Sequence, residues 1–215
     1  VDAANLFHLV LKKLSIGEND FDFDLFLNGL LRGRTMCDKG KRFYVGTVRE
    51  EEGNEYSKRA MSKQTTLFSK LKKTKWEILT SKLRKRKEKI QIDRRTIEFE
   101  QLKKAGLTSI TIERYREKGI DVKIATDLLS GAFDNKYDVA ILVSSDTDLI
   151  PAIDRVRFRE KKKIEYVGFS IEDSNPDKST KPTPALIKKS DIQNILLEED
   201  IRKFIRKEES TLFST

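Results

Sequence analysis

One cysteine, Cys37, and one histidine, His8, are all that 215 residues supply of the two side chains proteins most often use for transition metals. A lone cysteine closes no disulfide within the chain, and clusters of thiolates around zinc are excluded. A lone histidine excludes any two-histidine metal site. No apolar run approaches the roughly 18 residues of a membrane-spanning helix. No signal-peptide pattern opens the chain, so a cytoplasmic location is the expectation. The chain opens Val1-Asp2 without a methionine. If Asp2 closes a strand, most of that strand is missing, and the numbering is expected to start inside a longer protein.

What is abundant is charge. Charged residues make up 37% of the chain, equal to the hydrophobic share, and the formal net charge is +9. The excess is not spread evenly. Residues 56–118 hold 20 Lys/Arg against 7 Asp/Glu, a net of +13, while the rest of the chain nets −4. A polyanion is the natural partner for such a segment, and RNA, single-stranded or structured, is the expectation. A plainer reading is a solvated helix face. Trp76, Tyr56 and Phe68 interleave with the basic residues and could stack on bases; for Phe68 and Trp76, core packing is the more ordinary role.

The order of elements follows from periodicity. "VDAANLFHLVLKKL" (1–14) reads as a strand stub and a turn, then a helix; 21–31 reads as a short helix. "KRFYVGTVR" (41–49) and "KWEILTSKL" (75–83) read as strands flanking a basic helix over 57–74. Residues 120–133 read as a helix, or as a short strand that becomes a helix, "YDVAILVSS" (137–145) as a buried strand, 146–158 as a helix with Pro151 near its start, and 162–170 as another strand. A loop (173–184), a short helix, a strand near Asp191–Ile195 and a polar C-terminal helix or tail (196–215) finish the chain. Strands alternating with helices predict a three-layer α/β/α sandwich around one mostly parallel sheet. Residues 84–117 do not fit the alternation and are expected to form a basic inserted arm, with "KIQIDRRTIEFEQL" as a ribbon of two short strands. The remainder, residues 1–195, is expected to be one domain. Its oligomeric state is open, a homo-oligomer included.

In parallel α/β folds, sites lie at the carboxyl ends of strands. Asp2 follows one strand; Asp146 and Asp148, in "ILVSSDTDLI", follow another; Asp127 belongs to the helix before it. Four acids brought together are stable only around a cation, and Mg²⁺ or Mn²⁺ would suit an all-oxygen set. Each acid also has an ordinary role. Asp146 can cap a helix, Asp148 can complement its dipole, Asp127 can be a surface residue and Asp2 a turn residue.

The run "KGIDVKIATDLLSGAFDNKYDVAILVSSDTDLIPAIDRVR" (118–157) resembles the NYN domain, a branch of the PIN-like nucleases, and "VDAANLFH" resembles that family's first motif. The matching stretches are Lys118–Val122, Asp127–Leu129, Asp138–Val143, Ser144–Leu149 and Pro151–Ala152, with "IEYVGF" and "LIKKSDIQNI" near the end. Ser145 stands where the family usually has Gly, Leu149 where it has Phe, and Ala3 where it has Gly. The resemblance implies a metal-dependent ribonuclease. Asp2, Asp127, Asp146 and Asp148 would be its catalytic and metal-ligating cluster, with Mg²⁺ or Mn²⁺ bound. Asn5 would orient Asp2 or touch phosphate, and Ser144, Ser145 and Thr147 would hold carboxylates or phosphate. Arg84, Lys85, Arg86 and Lys87 are candidates for backbone phosphate contacts. One turn past Asn5, His8 is more ordinarily a packed or surface residue. Two other readings compete. One is a non-catalytic RNA-binding or regulatory module in which the acids hold a structural ion. The other is a phosphatase of the haloacid-dehalogenase type, disfavoured because "SSDTD" runs into an apolar helix without that family's Gly-Thr.

Overall fold

In a computed structural model of the chain, the structure describes residues 1–48, 50, 52–82, 84–116 and 119–206, with residues 82, 84, 115 and 116 described by backbone alone. In chain order the elements are α1 (Ala3–Leu6), a π-helical turn (Phe7–Leu11), α2 (Phe23–Leu31), β1 (Arg42–Thr47), α3 (Glu55–Lys73), β2 (Glu77–Lys82), β3 (Arg84–Gln91), α4 (Phe99–Lys104) and β4 (Ser109–Arg116). They continue as α5 (Ile120–Phe133), β5 (Val139–Leu142), α6 (Ile150–Phe158), β6 (Lys163–Ser170), α7 (Pro184–Lys189), β7 (Ile192–Leu197) and α8 (Glu198–Arg202).

Local chemistry explains these boundaries. α2 begins because the Asp22 carboxylate accepts the N–H groups of Asp24 and Leu25 at 3.0 and 2.9 Å. Its buried residues, Phe23, Phe26, Leu27 and Leu30, recur at helical spacing, and Arg32 ends it in a left-handed conformation at φ 48°. α3 is capped by Asn54 and carries Lys70, Lys72 and Lys73 in its last turn, where cations complement the helix dipole. β6 has six consecutive buried residues, Ile164 to Phe169, the pattern of a strand covered on both faces.

The architecture is α/β, and among the described residues the strands form three ladders rather than the single sheet expected. β1 pairs with β2 in parallel, β5, β6 and β7 form a parallel sheet in that order, and β3 pairs with β4 in an antiparallel hairpin. The two parallel sheets meet at Val1–Asp2. The Tyr44 N–H donates to the Val1 carbonyl at 2.9 Å, and the Asp2 N–H donates to the Val143 carbonyl at 3.0 Å. Two buried clusters fill the interior, one around Val10, Phe21, Phe26 and Phe43, the other around Ile124, Leu149, Ile153 and Tyr166.

The hairpin differs from its expected form. The ribbon expected over 89–102 is instead a longer one: β3 pairs with β4, and the stretch between them holds α4. "TSITIERYR" supplies the partner strand, and its β-branched residues suit an extended ladder better than "TIEFEQL" does. The described side chains of residues 85–114 contribute nothing to the buried core. Trp76 and Phe68 belong to it: Trp76 is buried edge-on to Phe23 and Phe43, and Phe68 packs at its margin, whereas Tyr56 is exposed. The polar C-terminal segment begins as α8; residues 207–215 lie outside the described residues, as does Lys118 of the central motif.

One buried charge inside the fold is paired. Glu165, in the middle of β6, is fully buried, and Arg34 reaches it at 2.6 Å. The contact is an ion pair rather than an aligned hydrogen bond, since neither Glu165 oxygen has a hydrogen-bond partner. Arg34 also donates to the carbonyls of Leu30 and Leu31 at the end of α2, at 2.8 and 2.9 Å. Removing one partner of a buried pair strands the other charge. Arg34→Ala is expected to cost roughly 3 kcal/mol in chemical denaturation, the low end of the usual range because Arg34 is partly solvated. Replacing both partners by Met should recover most of it. A loss no larger than that of an ordinary surface substitution would remove this pair from the stability of the fold.

Candidate nucleic-acid site

The candidate site is assembled where two chain segments, 142 residues apart, meet. Asp2 is buried, and its carboxylate caps α1: Oδ1 accepts the Asn5 N–H at 3.1 Å. Its Oδ2 accepts the Asn5 side-chain amide at 2.5 Å and the Ser144 hydroxyl at 3.0 Å. Asn5 returns the link, its Oδ1 accepting the Ser145 N–H at 3.2 Å. The Ser144 oxygen in turn accepts the Asp146 N–H at 3.3 Å, and Asp146 Oδ1 accepts the Asp148 N–H at 2.8 Å, capping the short turn that leads into α6. The Ser145 carbonyl accepts the Thr183 hydroxyl at 3.3 Å. Thus Asp2, Asn5, Ser144, Ser145, Asp146 and Asp148 are joined in one hydrogen-bonded knot.

Asp127 is committed elsewhere. Its Oδ2 accepts the Tyr44 hydroxyl at 2.7 Å and pairs with Arg42 at 3.0 Å. Burial, and then the hydrogen bond to Asp127, push the Tyr44 phenol well above its usual pKa. For Arg42, burial works against the charge, but Tyr44, Asp127 and Glu77 outweigh it and raise the pKa. Sequence reasoning missed both residues. The available signal was their spacing: positions 42 and 44 of a strand face the same side.

These commitments test whether the acids suit a divalent cation. Among the described residues, no three acidic, histidine or cysteine side chains are grouped to hold a metal. Asp2 has both oxygens engaged by protein donors, Asp127 is neutralised by Arg42, and Asp146 serves as a cap. The four aspartates, as placed, do not fit a three- or four-carboxylate Mg²⁺ or Mn²⁺ centre.

The other expected residues divide by exposure. Thr147 and Asp148 are exposed, Ser145 and Asp146 half-buried, Ser144 buried; His8 is exposed and lies edge-on to Phe7. Of the basic run, Lys85 pairs with Glu113 at 2.8 Å and Lys87 approaches the same carboxylate at 4.0 Å. Arg86 stands directly opposite Arg114 in the hairpin, and Arg84 is placed in β3 by its backbone. No helix among the described residues is long and apolar enough to cross a membrane.

Comparison with known proteins adds a family. The family model of the NYN domain matches residues 1–193. No curated protein matches the chain. The crystal structure of a protein of unknown function, VPA0982 from Vibrio parahaemolyticus RIMD 2210633, is similar at 17% identity and a TM-score of 0.45, covering 89% of this chain and 88% of that one.

The knot makes a prediction of its own. Ser144→Ala removes a donor from a buried carboxylate and an acceptor from the Asp146 N–H. A loss of about 1–3 kcal/mol is expected in urea denaturation. Ser144→Thr keeps the hydroxyl and should lose less if the extra methyl is accommodated. A change within a few tenths of a kcal/mol for the alanine variant would mean that water replaces the hydroxyl without cost.

Proposed function

This chain belongs to the NYN domain family, within the PIN-like nuclease superfamily, and from that premise we propose that it is an RNA-binding module whose acidic loop serves structure and regulation rather than hydrolysis. The observation that carries this reading is how the aspartates are used. Asp2 is saturated by Asn5 and Ser144, Asp127 by Tyr44 and Arg42, and among the described residues no three acids converge. The domain is taken to span residues 1–195, with the basic arm over 84–117 and a polar tail beyond.

The arm is the proposed contact to RNA. Like charges directly opposite in a ladder repel, and Arg86 faces Arg114 in that way, with Glu88 near Arg114 at 3.8 Å relieving it only in part. A phosphate between the two guanidinium groups relieves the repulsion and can be held by two donors from each. Lys85 and Lys87 both approach Glu113, at 2.8 and 4.0 Å. The exposed lysines and Arg59 of α3, with the exposed ring of Tyr56, extend the same surface chemistry. At the loop, Thr147, Ser145 and Asn5 are the neutral polar groups proposed to touch a phosphate, whereas Ser144 is buried and positions Asp2.

A second reading, metal-dependent ribonuclease activity, is favoured by one observation: the Ser144 hydroxyl ties the Asp2 carboxylate to the Asp146 backbone, so two acids of the motif stand in one loop. One set of measurements separates the readings. Binding to single-stranded and structured RNA in EDTA should fall steeply with salt. Replacing Arg84, Lys85, Arg86 and Lys87 together with Ala should flatten the slope of log affinity against log salt by up to about 3 for single strands. The loss should be similar for different RNA sequences, since phosphate contacts carry no base information. Incubation with Mn²⁺ or Mg²⁺ should leave the RNA intact. Metal-dependent cleavage that disappears in Asp146→Asn would overturn the binding-module reading in favour of the second. An unchanged salt slope would make the run a solvated face.

A further inference from the structure

The β3–β4 hairpin carries cations on both of its faces. In an antiparallel ladder, directly opposite residues put their side chains on one face, and the next pair puts them on the other. The register therefore sorts the hairpin. Arg86 and Arg114 share one face with Glu88, while Lys85, Lys87 and Lys89 share the other with Glu113. The ion pairs agree with that sorting: Arg114 approaches Glu88 at 3.8 Å and Lys85 reaches Glu113 at 2.8 Å, each within its own face. All five cations are exposed. Arg86 and Lys89, one on each face, have no ion pair among the described residues.

The same hairpin has an apolar end. Beyond the arginines, on their face, Ile90 and Ile110 stand directly opposite each other, and both are exposed. Ile97 and Leu107, in the stretch that joins the two strands, are exposed as well. A hairpin of two strands is marginal by itself in water. This one sets Arg86 against Arg114 and places none of its described side chains in the buried core. Its faces are therefore suited to being covered by a partner.

The placement of the cations selects the shape of that partner. A single RNA strand offers one row of phosphates. It can run along one face of the hairpin, and the cations of the other face then stay in water. A duplex groove offers two rows, one on each side of whatever lies in it. A thin ribbon with cations at the same height on both faces matches the second geometry.

Width then selects the kind of duplex. A two-stranded ribbon with side chains on both faces is about 10 Å thick, the spacing at which sheets stack. The major groove of continuous A-form RNA is deep and too narrow for side chains to read. A bulge opens that groove and unstacks bases. Apolar side chains such as Ile can wedge against unstacked bases. Ile90 and Ile110 then have a partner that phosphates do not supply.

We propose that the β3–β4 hairpin lies lengthwise in the major groove of an RNA duplex opened by a bulge. Arg86 and Arg114 turn to the phosphates of the bulged strand, with Ile90 and Ile110 beside its extruded base. Lys85, Lys87 and Lys89 turn to the phosphates of the opposite strand. The inference rests on the RNA-binding reading and narrows it to one class of RNA. It requires no contact at the acidic loop.

Affinity is measured in EDTA at physiological salt for a single strand, a continuous duplex and a duplex with a short bulge, all of equal nucleotide count. The bulged duplex should bind at least tenfold tighter than either of the others. Arg86→Ala with Arg114→Ala removes one face, and Lys87→Ala with Lys89→Ala removes the other. Each pair should weaken binding of the bulged duplex about tenfold, and all four together about a hundredfold, since the two faces meet separate strands. An unchanged Tm shows that the fold survives, as expected for side chains outside the core. Purine N7 atoms line the major groove, so the wild-type chain should shield those beside the bulge from methylation. A single strand bound as tightly as the bulged duplex, a loss confined to one face, or unshielded N7 atoms would each overturn this inference and leave RNA binding standing. Failure to bind any of the three RNAs would overturn the RNA-binding reading itself. So would tighter binding to a continuous DNA duplex, whose wider groove admits a ribbon without a bulge.

Discussion

The carboxylate of Asp2 is a charge taken out of water, and much of the local structure answers that one constraint. A buried carboxylate is tolerable when several donors surround it. Here two come from Asn5, one turn on, and one from Ser144, on the far side of the chain. Meeting that requirement starts α1, fixes the rotamer of Asn5 and brings the loop after β5 against the N-terminus. The same residue's backbone completes the join between two sheets through Val143. A defect at Asp2 is therefore a defect in sheet assembly, in helix capping and in loop position together.

The loop that follows shows why a motif of acids need not be a metal centre. Asp146 and Asp148 are one residue apart, yet the first accepts the second's N–H, as helix-starting aspartates do. Asp127, one helix earlier, finds a guanidinium and a phenol within hydrogen-bonding distance. Asp2, Asp127 and Asp146 each accept hydrogen bonds or an ion pair from nearby groups, which lowers the electrostatic cost of their charge. Recruiting Asp127 to a metal would require breaking its pair with Arg42 and its bond from Tyr44. The Tyr44 phenol, held protonated far above its usual range, would keep offering its proton to that carboxylate.

Much of this was legible in the sequence where periodicity and caps agree. A strand within 137–145, observed as Val139–Leu142, the helix over 120–133 and Asp146 as the cap of the turn after that strand follow from short-range patterns. Ser144 and Asn5 stand out in the sequence as candidates, although their bonds to Asp2 depend on which strands are neighbours. The failures have one cause. The spacing of Tyr44 and Arg42 puts them on one strand face, but that they meet Asp127 depends on α5 lying over β1, a tertiary fact. The hairpin departs from the expected ribbon because β3 and β4 are separated by α4, and a ladder of eight residue pairs is set by the partner strand rather than by the nearest β-rich run. Trp76, set among lysines, reads as surface chemistry until Phe23 and Phe43 are seen to enclose it.

The distribution of charge bears on both functional readings in the same way. Residues 56–118 net +13 and the remainder nets −4, so the long-range field that steers a polyanion originates in the arm and in α3. That field is screened over about 8 Å at physiological salt, so it governs the first encounter more than the final contacts. At close range the acidic loop acts oppositely, repelling a phosphate unless a neutral donor such as Thr147 or a cation intervenes. Binding and cleavage thus share their approach, and they part only at the loop. There the balance is set by whether Asp2, Asp127 and Asp146 keep their protein donors or exchange them for a ligand. Because those donors come from three different elements, α1, β1 and the turn before α6, no single local rearrangement converts one state into the other.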